Sequence, residues 1–155
     1  MSISRFAAAA ALLFLVAVPA SAHDYTAGDI AIGHPFSREA PAGAKVAAGY
    51  LTLKNNGTEA DRLVSATAEI AGRAEIHEMA VDAKGVMTMR PVEGVEVPAG
   101  GEVALKPGSY HLMFLDLTRL PKKDERFAGT LTFEKAGTVE VEFAVEAMGG
   151  HAHKH

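Results

Sequence analysis

Turn chemistry breaks this chain at short intervals and leaves little helical periodicity between the breaks. Asn55-Asn56-Gly57, Asp82-Ala83-Lys84-Gly85, Gly100-Gly101, Lys106-Pro107-Gly108 and Lys135-Ala136-Gly137 are all turn formers. In such runs glycine supplies positive φ, while Asn, Asp or Pro starts the bend. Between them lie strand-like stretches: Val46 to Leu53, Leu63 to Ile70, Ala74 to Val81, Val86 to Val92, Tyr110 to Leu117, Phe127 to Glu134 and Thr138 to Val145. Short strands spaced in this way predict an all-β sandwich or barrel. Tyr110 to Leu117 is apolar on both faces, as a central strand requires, and the last two stretches read as a closing hairpin. A short helical turn fits only between Leu117 and Glu125, where Pro121 limits it.

The two ends of the chain do not share this pattern. Arg5 forms a positive n-region, Phe6 to Val18 an unbroken apolar segment, and Ala20-Ser21-Ala22 a small-residue cleavage site; together they read as a signal peptide. The apolar run falls short of the roughly 20 residues needed to span a bilayer, so a retained membrane anchor is the weaker alternative. The expected organisation is a signal peptide over 1–22 with cleavage after Ala22, one domain over 23–147, and a flexible His-rich tail over 148–155. The exported chain would begin at His23, with no second apolar segment to insert into a membrane.

Composition narrows the function classes. The 155 residues carry 15 basic and 19 acidic side chains, a net charge of −4, with no basic patch to suit nucleic acid and no basic amphipathic helix. With no cysteine, both a disulfide framework and thiolate-centred metal sites are excluded. No nucleophile elbow, P-loop or dinucleotide fingerprint is present, so the chain does not read as an enzyme. The carboxylates fall on turns and strand edges, where solvation is the ordinary explanation.

The methionines stand out instead. The chain has six, and Met79, Met87, Met89 and Met113 are interleaved with His77 and His111. Thioether and imidazole without thiolate suit Cu(I), a soft ion, whereas Mg, Ca and Mn prefer oxygen. Taken singly, a methionine in an apolar strand is usually core filler, and a lone strand histidine is usually structural. Their concentration between positions 77 and 113 is harder to dismiss. Side chains two apart on a strand share a face, so His77 pairs with Met79, Met87 with Met89, and His111 with Met113. If Ala83-Lys84-Gly85 is a three-residue loop with Gly85 left-handed, Asp82 faces Val86, Met79 faces Met89, and His77, Met79, Met87 and Met89 share one face. A four-residue loop would separate the two halves; the glycine favours the first register.

The spacing resembles a family signature. His77 is followed by one residue, ten more, Met89, twenty-one residues, and then His111-Leu112-Met113. This is similar to the motif of the periplasmic copper chaperones called PCuAC, with Glu78 standing where that family has an optional methionine. The resemblance covers the exported chain, including His34-Pro35-Phe36, where the family often has Pro-Trp. It implies Cu(I) ligands at His77, Met89, His111 and Met113, a cupredoxin-like Greek-key β-sandwich or barrel, and a periplasmic location. It further implies copper delivery to the Cu(A) subunit of cytochrome c oxidase, with Sco-type thiol proteins as co-workers.

Several residues remain as accessories. Met79 and Met87 are placed to assist the primary site. His151, His153 and His155 alternate behind Met148 and Gly149-Gly150, and imidazoles at that density suit Cu(II), Zn or Ni. His23, once exposed at a new N-terminus, offers an amine and an imidazole; alone it suggests a copper enzyme, and with His34 an accessory copper site. Copper buffering or resistance, without a dedicated receiver, is the alternative use of the primary site. A plain β-sandwich interaction module would leave the His/Met spacing unexplained.

Overall fold

Burial alternates residue by residue along Val46–Asn55, Arg126–Phe133 and Gly137–Glu146, the period-two pattern of chain with one face on a core. The computed structural model describes residues 25–149; the predicted signal peptide, His23 and the tail histidines lie outside them. The described strands are β1 (Tyr25–Ala27), β2 (Ile30–Arg38), β3 (Val46–Asn55), β4 (Asp61–Ala68), β5 (Ala71–Val81), β6 (Met87–Val92), β7 (Val95–Val97), β8 (Glu102–Leu105), β9 (Tyr110–Leu117), β10 (Arg126–Phe133) and β11 (Gly137–Glu146). Among the described residues there is no helix long and apolar enough to cross a membrane.

The strands run in the order β6-β5-β9-β3-β2-β11-β10-β4-β7, with β1 added to β2 and β8 to β3. Neighbours are antiparallel except β11 and β2, whose parallel register pairs Ala144 with Phe36. Inward residues of β3 and β9 (Leu51, Leu53, Leu112, Phe114) meet those of β4, β10 and β11 (Leu63, Phe127, Leu131, Phe143), all essentially inaccessible. Phe114 stands edge-on to Phe127 and Phe143, at centroid distances of 5.6 and 5.3 Å, while Phe127 and Phe143 stack at 5.2 Å. Such aromatic geometry adds to the stabilisation from burial, about 1.5–3 kcal/mol per large side chain. Close approach demands glycine at one crossing: a Cβ on Gly49 would lie 2.7 Å from the Phe114 ring.

Most of the predicted strands are present, with small shifts at their ends. Two features differ. No helical turn forms between Leu117 and Glu125; β9 runs through Leu117, and the chain turns at Asp124, where φ is 68°. The second is β2, which contains His34-Pro35. Its pairing with β3 is interrupted between Gly33 and Phe36, and His34 takes a φ of 45° there. A bulge accommodates proline because the missing N–H falls where the ladder is already broken.

Candidate metal centre

The β5–β6 hairpin sets the position of the thioethers. The Asp82 N–H donates to the Val86 carbonyl at 3.0 Å, the Gly85 N–H donates to the Asp82 carbonyl at 3.0 Å, and Gly85 has a φ of 80°. Asp82 Oδ1 also accepts from the Lys84 and Val86 N–H groups, at 2.8 and 3.0 Å. The loop is therefore the three-residue form, and Met79 pairs with Met89 and Val81 with Met87. On the other side of β5, His77 pairs with His111 and Glu75 with Met113. Leu112 and Phe114 face the core, so the alternate residues His111 and Met113 belong to the opposite face, with His77, Met79, Met87 and Met89.

That outer face is not an open surface where the histidines lie. His111 and Met113 are 5% and 9% exposed, and the His77 side chain is 12% exposed. The two imidazoles sit 5.7 Å apart between centroids. Met89 belongs to β6, yet its Sδ lies 3.1 Å from His111 Nε2. Met87, nearer the hairpin tip, is exposed.

The hydrogen bonds assign lone pairs to this cluster. His111 Nδ1 lies 3.2 Å from the Ser109 carbonyl oxygen; a carbonyl only accepts, so Nδ1 carries the proton and a neutral ring has its lone pair on Nε2. Burial holds the His111 pKa below the ordinary histidine value, and His77 adds to that effect against the Ser109 hydrogen bond. In that tautomer Nε2 and the Met89 sulfur, 3.1 Å apart, face each other as two electron-pair donors. His77 is arranged in the reverse sense. Its Nε2 lies 2.7 Å from Glu75 Oε2, whereas its buried Nδ1 has no hydrogen-bond partner. An orphaned buried nitrogen costs on the order of 1–3 kcal/mol, and a cation would satisfy it. Among the described residues no group of three or more His, Cys, Asp or Glu side chains is placed to hold a metal ion. The donors on this face are two imidazoles and the Met89 thioether, with Met113 two residues beyond His111 on β9, a set suited to a soft ion and not to a hard one.

Charged neighbours of His77 form a chain that the sequence did not mark. Arg73 bonds the second Glu75 oxygen through Nη1, and its Nε donates to Asp116 Oδ2 at 3.2 Å. The His77 hydrogen bond, with Arg73 beside it, holds the Glu75 carboxyl below the usual carboxylate range. His34 lies apart on β2, two strands from β9, with its Nε2 2.8 Å from Glu146 Oε1 and its ring 4.9 Å from Phe36. Not every carboxylate is solvated: Asp61 is 8% exposed and accepts the N–H groups of Arg62, Lys135 and Ala136 at 2.7–2.9 Å. It ties β4 to the β10–β11 turn.

Comparison with known proteins places the chain. Residues 30–145 match the family model "Putative lipoprotein LpqE-like". The chain belongs to the LpqE-like family. A relative from Leifsonia xyli subsp. xyli, "Putative lipoprotein Lxx21020", is 32% identical over 138 residues, 87% of this chain and 81% of that one. Among solved structures, the copper-bound PCuAC domain from PmoF2 is 28% identical, with a TM-score of 0.70 over 81% of this LpqE-like chain and 99% of that domain. Cu(I)-DR1885 from Deinococcus radiodurans is 25% identical, with a TM-score of 0.59 over 73% of this chain and 75% of that one. The architecture is the cupredoxin-like β-barrel of PCuAC domains.

Proposed function

We propose that this protein is an exported copper chaperone that carries Cu(I) at His77, Met89, His111 and Met113 and passes it to the Cu(A) subunit of cytochrome c oxidase. Sco-type thiol proteins are the expected co-workers. One observation carries the reading: His111 Nε2 and Met89 Sδ lie 3.1 Å apart, in a face whose second imidazole, His77, is 5.7 Å away between centroids and has a buried Nδ1 without a hydrogen-bond partner. The similarity to a copper-bound PCuAC domain and to Cu(I)-DR1885 supports copper as the cargo. Neutral thioether and imidazole ligands favour Cu(I) over Cu(II), and they yield the ion to a receiver richer in thiolate. The chemistry is ligand exchange, with no turnover of substrate.

The proposed organisation is a signal peptide over 1–22, a copper domain over 23–147, and a tail over 148–155. His151, His153 and His155 would hold Cu(II) separately. The lipoprotein names of the family and of its relative support export, and the periplasm is the proposed destination. Anaerobic Cu(I) titration against a chromophoric chelator tests the reading, alongside a Met89→Leu/Met113→Leu variant. One tight equivalent, lost in the variant, supports the site. Unchanged binding in the variant removes the chaperone's chemical basis.

A further inference from the structure

We infer that Glu75, held by Arg73, is a positioning residue that fixes His77 as the Nε2–H tautomer and thereby presents Nδ1 to the metal. The inference rests on the copper reading of the site but stands on its own geometry. Arg73, Glu75 and His77 alternate along β5 and so share its outer face. Glu75 Oε2 lies 2.7 Å from His77 Nε2; an ionised carboxylate only accepts, so in a neutral ring the proton resides on Nε2. The lone pair is then on Nδ1, the atom that is buried and without a partner.

Glu75 is itself fixed. Its other oxygen receives Arg73 Nη1, and Arg73 Nε is held by Asp116 Oδ2 at 3.2 Å. Asp116 adopts a φ of 55°, and a Cβ on Gly72 would come within 3.1 Å of the Asp116 Cβ. Glycine at 72 leaves the space in which Asp116 reaches Arg73. The chain Asp116–Arg73–Glu75–His77 thus runs from the end of β9 to the imidazole. His111 has a backbone carbonyl as its outer partner and offers Nε2; His77 has a carboxylate and offers Nδ1. The two rings are set in opposite tautomers, and both free nitrogens become ligands. Carboxylate or carbonyl partners that orient metal-bound histidines cost about 10–100-fold in affinity when removed.

The test reads the metal-free protein first. Long-range 1H–15N spectra at pH 8 identify which nitrogen of each histidine is protonated, with His77→Gln assigning the ring. The expected result is Nε2–H for His77 in the unsubstituted protein. Glu75→Gln, which keeps an acceptor, retains that state, and Glu75→Ala gives a mixture. Cu(I) affinity should then fall about 10–100-fold in Glu75→Ala and less in Glu75→Gln. An Nδ1–H tautomer in the unsubstituted protein, or an unchanged tautomer in Glu75→Ala, overturns the inference. If the tautomer responds while the unsubstituted protein binds no Cu(I), the positioning role stands and the copper reading falls.

Discussion

The Met89 sulfur lies 3.1 Å from His111 Nε2 although a whole strand separates their backbones. Met89 is on β6 and His111 on β9, with β5 between them. Neighbouring strands lie roughly 4.8 Å apart, so the thioether reaches across the His77 strand to meet the second imidazole. Only a long, unbranched side chain on the correct face closes that gap.

The correct face depends on one loop. Inserting a glycine between Lys84 and Gly85 should turn Met87 and Met89 to the other side of the hairpin, since a one-residue slip inverts every side chain. Cu(I) affinity is expected to drop by more than about 100-fold, beyond the loss caused by removing an outer partner. The far-ultraviolet circular dichroism should stay that of a β-protein. Two-residue insertion should restore much of the affinity, and chelator competition on both variants checks the pair.

Acid should weaken copper binding. Both imidazoles must be unprotonated to ligate, so affinity is expected to fall on acidification; burial holds the His111 pKa down, which carries that ring's share of the fall below the ordinary histidine value of about 6.5. The metal-free fold should weaken in the same direction. Burial lowers the folded-state pKa of His111, so below about 6.5 the unfolded chain binds the proton more readily, and stability rises with pH. Thermal melts of metal-free protein between pH 5 and 8, compared with His111→Gln, test this; the variant should show the shallower dependence.

Phe114→Ala should cost about 3–5 kcal/mol. The ring is fully buried and packs edge-on against Phe127 and Phe143. It lies three residues after His111 on β9, on the opposite face. Urea unfolding should show the loss, and copper affinity in the remaining folded protein should change far less than for Met89→Leu.

Asp61→Ala should be destabilising by about 2–4 kcal/mol even though the position reads as polar, because three backbone N–H groups lose their acceptor at once. Asp61→Asn should recover part of the loss. Urea midpoints for the two variants provide the comparison.

Local chemistry was the legible part. Gly85 specified its left-handed turn, the turn specified the Met79–Met89 register, and period-two alternation then placed His111 and Met113 on one face. The long strands were readable for the same reason. Features decided by distant pairings were not. The β2 bulge at His34-Pro35 depends on β3, and the chain makes an irregular turn at Asp124 in the one stretch where a helical turn fits the sequence. Asp61 reads as solvated until the β10–β11 turn closes over it. Glu75 looked like any strand-edge carboxylate, although its position two residues before His77 could have marked it. Met79 lies across from Met89 and Met87 nearer the tip, so strand parity alone does not choose among these sulfurs.

β6 ends the strand path and pairs only with β5, whereas β9 is flanked on both sides. The proposed ligands therefore sit on elements with unequal opening free energies, because an outer ladder frays at far less cost than an interior one. Loosening a single hairpin would withdraw the Met89 sulfur while His111 stayed clamped within the barrel. Hand-over would then proceed at the pace of hairpin breathing, and a protein with a very resistant core could still give up its cargo quickly.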